Sequence, residues 1–158
     1  MIRRVSHQHD AAIPDDDAIN PDFARYTHVL LHYCSSDAYA GDVARTVEGR
    51  TLQFRGRRIV DAVFEDLMDS SAVGSPTLGN ATEVLVAGSS AGAMGVHNNI
   101  DRIAARLGRT TVKAISDSGW VPDLAPFGPG TMEVRPDAPG LVDYVHAIPD
   151  ESCTAANP

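Results

Sequence analysis

Apolar residues along this chain occur either in short continuous runs or in stripes that repeat about every four positions. The runs lie at residues 27–33 (THVLLHY), 83–87 (EVLVA) and 111–116 (TVKAIS), and each run predicts a strand. The first run reads as a buried strand. The second is nearly uninterrupted, as expected for a strand covered on both faces.

The stripes predict two helices. In residues 57–68 the repeating apolar positions are Ile59, Val60, Val63, Phe64, Leu67 and Met68. A second helix is expected from about residue 91 to residue 107, with Gly108 as its stop and with Val96, Ile100, Ile103 and Leu107 on one face. Strand, helix and strand in this order imply a right-handed parallel crossover, and therefore an α/β fold.

The remaining segments lack a sustained apolar period. Residues 1–26 are rich in Asp, Pro and Asn and predict an irregular N-terminal segment, while residues 45–55 suggest a small hairpin. Residues 70–80 form a break, and the prolines and glycines from residue 121 onward predict little regular structure. We find no internal repeat, and the length fits a single domain, here taken as residues 27–158.

The composition and charge of the chain limit the classes of function that we expect for it. The net charge of −8 argues against a nucleic-acid partner, because phosphate binding needs a surplus of Lys and Arg. No run reaches 18 apolar residues, and the basic start lacks the apolar core of a signal peptide, so we expect a soluble chain without an export signal or a membrane span. Cys34 and Cys153 allow one disulfide but do not decide the compartment.

Gly88-Ser89-Ser90-Ala91-Gly92 joins the second predicted strand to the second helix. A G-x-S-x-G sequence in this position matches the nucleophile elbow, in which a sharp turn with positive φ lifts the serine above the sheet. Gly88 and Gly92 would allow the close approach of strand and helix. Ser90 is then the nucleophile, and the Ala91 N–H donates to the oxyanion at the positive end of the helix. The plainer alternative is a Gly/Ser-rich loop without chemistry.

A second alternative is a dinucleotide-binding loop. Gly88, Gly92 and Gly95 lie in a glycine-rich turn, and Asp117 ends the next strand, where a ribose-binding acid would lie. However, the spacing is not G-x-G-x-x-G, and the fingerprint normally follows the first strand of its domain.

Several blocks occur together in a particular order, namely Tyr33-Cys34-Ser35-Ser36-Asp37, Phe54-Arg55-Gly56, the elbow followed by Asn99-Ile100-Asp101-Arg102, Asp117-Ser118-Gly119-Trp120, and Pro149-Asp150-Glu151-Ser152-Cys153. In order and spacing they resemble the pectin acetylesterase/Notum family of carboxylesterases from about residue 20 to residue 153. The resemblance implies a partial α/β-hydrolase fold, with a mostly parallel sheet and flanking helices. It also implies hydrolysis of an ester by a Ser-His-Asp triad, with no cofactor. Family members are typically secreted and act on acetylated polysaccharide or on an acylated protein.

The chain departs from the family pattern in three places. No Gly-Gly pair is present, whereas the family carries a glycine block upstream of the Tyr-Cys block. Ala93 replaces a common glycine. The family's triad Asp and His lie downstream of the Pro-to-Cys block, beyond Pro158. The chain therefore resembles the middle of a longer enzyme, and a complementing chain is one possible partner.

None of the six histidines is an obvious base for Ser90. His97 lies seven residues along the helix, roughly 10 Å away at 1.5 Å per residue, which is beyond hydrogen-bond reach. His146 aligns with a non-catalytic block of the family. His28 and His32 flank the first predicted strand, and His7-x-His9 alone is poor evidence for a metal, so we expect no metal site.

Four further residues are candidates for the pocket or for structural roles. The resemblance gives Asp117 a structural or pocket-lining role rather than that of the triad acid. We expect Trp120 and Tyr33 either to line the acyl pocket or to lie in the core. Asp37 is expected to anchor loops near the serine by accepting backbone N–H bonds.

Taken together, the sequence predicts a small-ester or O-acyl hydrolase whose isolated activity is low. A non-catalytic remnant or binding module that keeps the hydrolase sheet is the main alternative.

Overall fold

The computed structural model describes residues 16–69, 77–120, 128 and 138–156. In chain order, the elements are β1 (Val43–Val47), β2 (Arg50–Phe54), α1 (Gly56–Met68), a 3₁₀ turn (Leu78–Asn80), β3 (Glu83–Ser89), α2 (Ala91–Leu107), β4 (Thr111–Asp117), α3 (Ala138–Val145) and α4 (Glu151–Ala156).

The centre of the fold is the β3–α2–β4 unit. Strands β3 and β4 pair in parallel, with Glu83 opposite Thr111 and Ser89 opposite Asp117. Helix α2 forms the crossover and ends at Gly108, whose φ of 62° suits a glycine. The predicted α/β unit is therefore confirmed.

Strands β1 and β2 form a separate antiparallel hairpin. Its two turn residues, Glu48 and Gly49, both have positive φ, at 48° and 74°. This is the pattern of the two-residue hairpin turn that matches the twist of the strands. The predicted hairpin is confirmed.

The core lies between α1, α2 and one face of the β3–β4 pair. Its buried residues are Tyr39, Val60, Ile103 and Leu107, and half-buried side chains such as Val84 pack against them. Beside this core, Arg102 and Arg106 of α2 form ion pairs with Asp61 of α1. The apolar stripes of both helices therefore face each other, as their spacing predicts.

The prediction of a buried strand at residues 27–33 is wrong. Only Val29 forms a β-bridge there, and Val29 and Tyr33 are 40% and 44% exposed. The run is extended chain, and Leu31 packs against the core and accepts a hydrogen bond from the Tyr39 hydroxyl at 3.0 Å. Within the described residues β3 pairs with β4 alone, so this run adds no strand to that sheet.

The expectation that β3 is covered on both faces is met only in part. Residues 83–88 are all half-buried, and in β4 only Val112 is not exposed. Helix α2 packs on both strands from one side, while Ile115 remains 42% exposed.

Two short helices occur where little regular structure was expected. Pro139 is the second residue of α3, where the missing N–H of proline costs no hydrogen bond. The end of α3 docks against the hairpin, because the Arg45 guanidinium donates to the carbonyls of Asp143 and Tyr144 at 3.0 and 2.9 Å. Predictions for residues 1–15, 70–76, 121–127, 129–137 and 157–158 lie outside the described residues, and residues 16–26 are irregular as predicted.

No helix in the described part of the chain is long and apolar enough to cross a membrane.

Candidate active site

Ser90 occupies the turn between β3 and α2 with φ 55° and ψ −117°. The predicted positive φ is confirmed. A non-glycine residue in such a sparsely populated conformation costs about 1–3 kcal/mol and persists only where its surroundings fix it. Two backbone hydrogen bonds do so here, since the Ser90 N–H donates to the Asp117 carbonyl at 3.0 Å and the Ser90 carbonyl accepts from Met94 N–H at 3.2 Å.

The hydroxyl of Ser90 is not used to cap the helix. Ser90 is the N-cap residue of α2, yet its side chain makes no capping hydrogen bond. The N–H groups of Ala91, Gly92 and Ala93 have no acceptor within the helix, because Met94 makes its first hydrogen bond. The exposed Ser90 side chain therefore lies at the positive end of a 17-residue helix, where negative charge is stabilised.

The two elbow glycines differ in what surrounds them. A Cβ atom on Gly88 would lie 2.3 Å from the Gly92 carbonyl oxygen, so only glycine fits there. A Cβ on Gly92 would meet nothing within 4 Å. The expected need for a small residue is confirmed at Gly88 but not at Gly92, because the close approach is between the side-chain position of Gly88 and the backbone of Gly92.

Ser90 lies on the wall of a cavity of about 910 Å³. The cavity runs along β3 and is bounded by α1, by the start of α2 and by residues 23–33. Most of its lining side chains are apolar, among them Val63, Leu67 and Leu85. Tyr33 also lines this cavity, at the edge of the core, where its ring lies 4.9 Å from that of Tyr39.

None of the described histidines is hydrogen-bonded to Ser90. His28 and His32 line the same cavity, but His28 Nε2 lies 3.0 Å from the carbonyl of Phe23, and His32 is exposed. His97 and His146 are also exposed. His7 and His9 lie outside the described residues, within which no His, Cys, Asp and Glu side chains cluster as a metal site.

Asp117 and Trp120 lie at the end of β4 and just beyond it. The Asp117 carboxylate accepts hydrogen bonds from Ser89 Oγ at 2.9 Å and from Ser118 Oγ at 3.2 Å. Trp120 is 83% exposed, so it lies neither in the core nor along the cavity.

Asp37 is buried, and its anchoring of backbone N–H groups is confirmed. Its carboxylate accepts from Tyr39 N–H at 3.0 Å and from Gly56 N–H at 2.7 Å. A Cβ on Gly56 would lie 2.2 Å from Asp37 Oδ1. Asp37 therefore fixes the start of α1 rather than a loop beside Ser90.

Asn99 and Asp150 are buried polar residues that were missed as candidates. Asn99 is 2% exposed, and its amide donates to the carbonyls of Tyr39 at 3.1 Å and Gly95 at 2.8 Å. Asp150 is buried and accepts from Asp101 N–H at 3.0 Å. A signal for Asn99 existed in the sequence, because it lies between Val96 and Ile103 on the apolar face of α2.

The cysteines are both exposed. Cys34 carries a free thiol, so the Cys34–Cys153 disulfide is not formed in this structure.

Comparison with known proteins gives a family match over most of the chain. The family model described as pectinacetylesterase matches residues 4–132. The palmitoleoyl-protein carboxylesterase notum2 of Xenopus laevis is 38% identical over 109 residues, which are 66% of this chain and 21% of that protein. Pectin acetylesterase 11 of Arabidopsis thaliana is 32% identical over 102 residues, 64% of this chain and 25% of that protein. The chain thus spans a fifth to a quarter of the length of these curated relatives.

A solved structure is similar over nearly the whole chain. The Wnt deacylase Notum from Drosophila superposes with a TM-score of 0.75 at 27% sequence identity. The match covers 91% of this chain and 42% of that one.

Proposed function

This chain belongs to the pectinacetylesterase family, and from that premise we propose that it carries the nucleophile of a carboxylic ester hydrolase. Its fold is of the α/β-hydrolase type, of which it contains a part. The observation that carries the proposal is the positive φ of Ser90 at the start of α2, with its hydroxyl not used as a cap. Membership of this family argues against the alternative that the glycine-rich turn binds a dinucleotide.

In the proposed reaction, Ser90 Oγ attacks the carbonyl carbon of the ester while a base takes its proton. Negative charge then develops on the former carbonyl oxygen, and the Ala91 N–H donates to it at the positive end of α2. Collapse of this intermediate expels the alcohol and leaves an acyl group on Ser90, which water hydrolyses with the same base. No described histidine is in place to act as that base.

The substrate class follows from the relatives. One is named a palmitoleoyl-protein carboxylesterase and another a pectin acetylesterase, so we propose an O-acyl ester on a protein or a polysaccharide. The base and its carboxylate partner would come from a complementing chain or from residues outside those described. Because no described histidine is in place as the base, we expect turnover by the 158-residue chain to be low or absent, since triad partners contribute several orders of magnitude.

A fluorophosphonate probe tests the proposal. The purified chain is incubated with the probe and the labelled residue is located by peptide mass spectrometry. Because no described base is in place, we expect slow labelling at Ser90, its loss in Ser90→Ala, and its retention in Ser152→Ala, which removes an exposed serine of α4. An unlabelled chain that unfolds cooperatively would instead favour the non-catalytic binding module.

A further inference from the structure

Asp117 contacts three serines at the top of the sheet. Its Oδ2 accepts from Ser89 Oγ at 2.9 Å, its Oδ1 accepts from Ser118 Oγ at 3.2 Å, and its backbone carbonyl accepts from Ser90 N–H at 3.0 Å. One residue of β4 therefore holds both its own following turn and the turn that carries Ser90.

Both turns carry a non-glycine residue with positive φ. Ser89 and Asp117 lie opposite each other in the paired strands. Ser90 follows Ser89, Ser118 follows Asp117, and both Ser90 and Ser118 have a φ of 55°. The turn after β4 also packs against α2, because a Cβ on Gly119 would lie 2.5 Å from the Cβ of Ala93. Neighbouring strained residues persist only where surrounding contacts fix them.

We propose that Asp117 is a positioning residue that fixes the Ser90 turn through its contacts with Ser89, Ser90 and Ser118. Both carboxylate oxygens are bound to serine hydroxyls, and no described histidine contacts them. The hydroxyl of Ser89, next to the nucleophile, is engaged in its hydrogen bond to Asp117. Of the two adjacent serines, Ser90 is therefore the one whose hydroxyl is available for reaction. The hydrogen bonds of Asp117 alone support its positioning of the backbone, whereas its effect on the reactivity of Ser90 rests on the proposed function.

Amide hydrogen exchange tests the positioning without any need for activity. Asp117→Ala removes both carboxylate bonds, and we expect the Ser90 amide to exchange about tenfold faster, since local opening becomes easier. Asp117→Asn should stay close to wild type, because the amide accepts from one hydroxyl and donates to the other. Lys113→Ala, an exposed position nearer the start of β4, should leave the Ser90 amide unchanged. Exchange in Asp117→Ala equal to wild type would overturn the proposal.

The rate of fluorophosphonate inactivation tests the effect on chemistry. Misplacement of Ser90 predicts that Asp117→Ala lowers the maximal inactivation rate roughly 10- to 100-fold with little change in the probe's half-saturation concentration. Asp117→Asn should restore most of that rate. A triad acid behaves differently, because its Asn variant loses about 10⁴ in rate. Loss of the rate in Asp117→Asn would therefore overturn the positioning role.

A second variant and the activity-independent exchange measurement cover the two ways in which these experiments could fail. If Asp117→Ala does not fold, Ser89→Ala removes one of the two hydroxyl bonds with almost no change in volume and should raise Ser90 exchange by a smaller factor. If the wild-type chain is not labelled at all, the proposed function fails, and the exchange of the Ser90 amide still decides the role of Asp117.

Discussion

Gly88 and Gly92 face each other across the turn so closely that a Cβ on Gly88 would lie 2.3 Å from the carbonyl oxygen of Gly92. The reverse is not true, since a Cβ on Gly92 would have open space around it. The two glycines of the G-x-S-x-G sequence are therefore not equivalent in this chain.

Alanine substitutions at the two positions should have different effects on stability. Gly88→Ala forces strand and helix apart and should lower the free energy of unfolding by about 1–3 kcal/mol or more. Gly92→Ala, in the first turn of α2, should be neutral or should raise it by up to about 1 kcal/mol, because alanine favours the helix. Urea unfolding of both variants measures this. Equal losses would show that the contact at Gly88 is not the cause.

Ser90→Gly should stabilise the chain while removing its nucleophile. Glycine adopts positive φ without steric cost, so relief of the strain at Ser90 should add about 1 kcal/mol and raise Tm by roughly 2–4 °C. Ser90→Ala keeps the Cβ and is the matched control, with little change expected in Tm. A Tm of Ser90→Gly at or below that of Ser90→Ala would mean that the turn stores no strain.

Asn99→Ala should be among the more damaging single changes. It leaves the buried carbonyls of Tyr39 and Gly95 without the Asn99 amide and removes the acceptor of an Arg102 hydrogen bond. The expected loss is about 2–4 kcal/mol. Asn98→Ala, which removes a single bond of 3.4 Å to Ala38, should cost under about 1 kcal/mol. Thermal unfolding of the pair tests the difference, and similar losses would contradict it.

Tyr39 should make stability fall at high pH. Burial raises the pKa of Tyr39 to about 12 in the folded chain, against 10.0 for an ordinary tyrosine. The neutral phenol is thus favoured by folding, so its contribution is fully present below pH 10 and is lost as the pH rises toward 12. The loss is at most about 3 kcal/mol.

Tyr39→Phe supplies the comparison. It should cost about 1 kcal/mol at pH 8, because the bond to the Leu31 carbonyl is lost, but its unfolding free energy should fall less steeply between pH 10 and pH 12. Unfolding by urea at pH 8, 10 and 11.5 measures both slopes. Parallel slopes would show that Tyr39 does not titrate with folding.

The parts of the fold that depend on local pattern were predictable from the sequence. The alternation of apolar runs and stripes located α1, β3, α2 and β4, and the two elbow glycines marked the turn at Ser90. The α/β class follows from these elements, because strand, helix and strand in sequence permit few arrangements.

What failed depended on contacts far apart in sequence. The run at residues 27–33 has the composition of a strand, but composition does not reveal whether a neighbouring strand is available for pairing. The burial of Asp150, which was not predicted, depends on the N–H of Asp101, 49 residues earlier. No periodicity encodes such pairs.

The two hydrogen bonds from Arg45 to the end of α3 have a consequence for folding during synthesis. Its two hydrogen bonds join residues 98 and 99 positions apart, so the β1–β2 hairpin emerges from the ribosome long before the carbonyls that receive its guanidinium. An isolated two-stranded hairpin is marginally stable in water. The nascent chain therefore carries this hairpin without its contact to α3 until residues 143 and 144 have been synthesised.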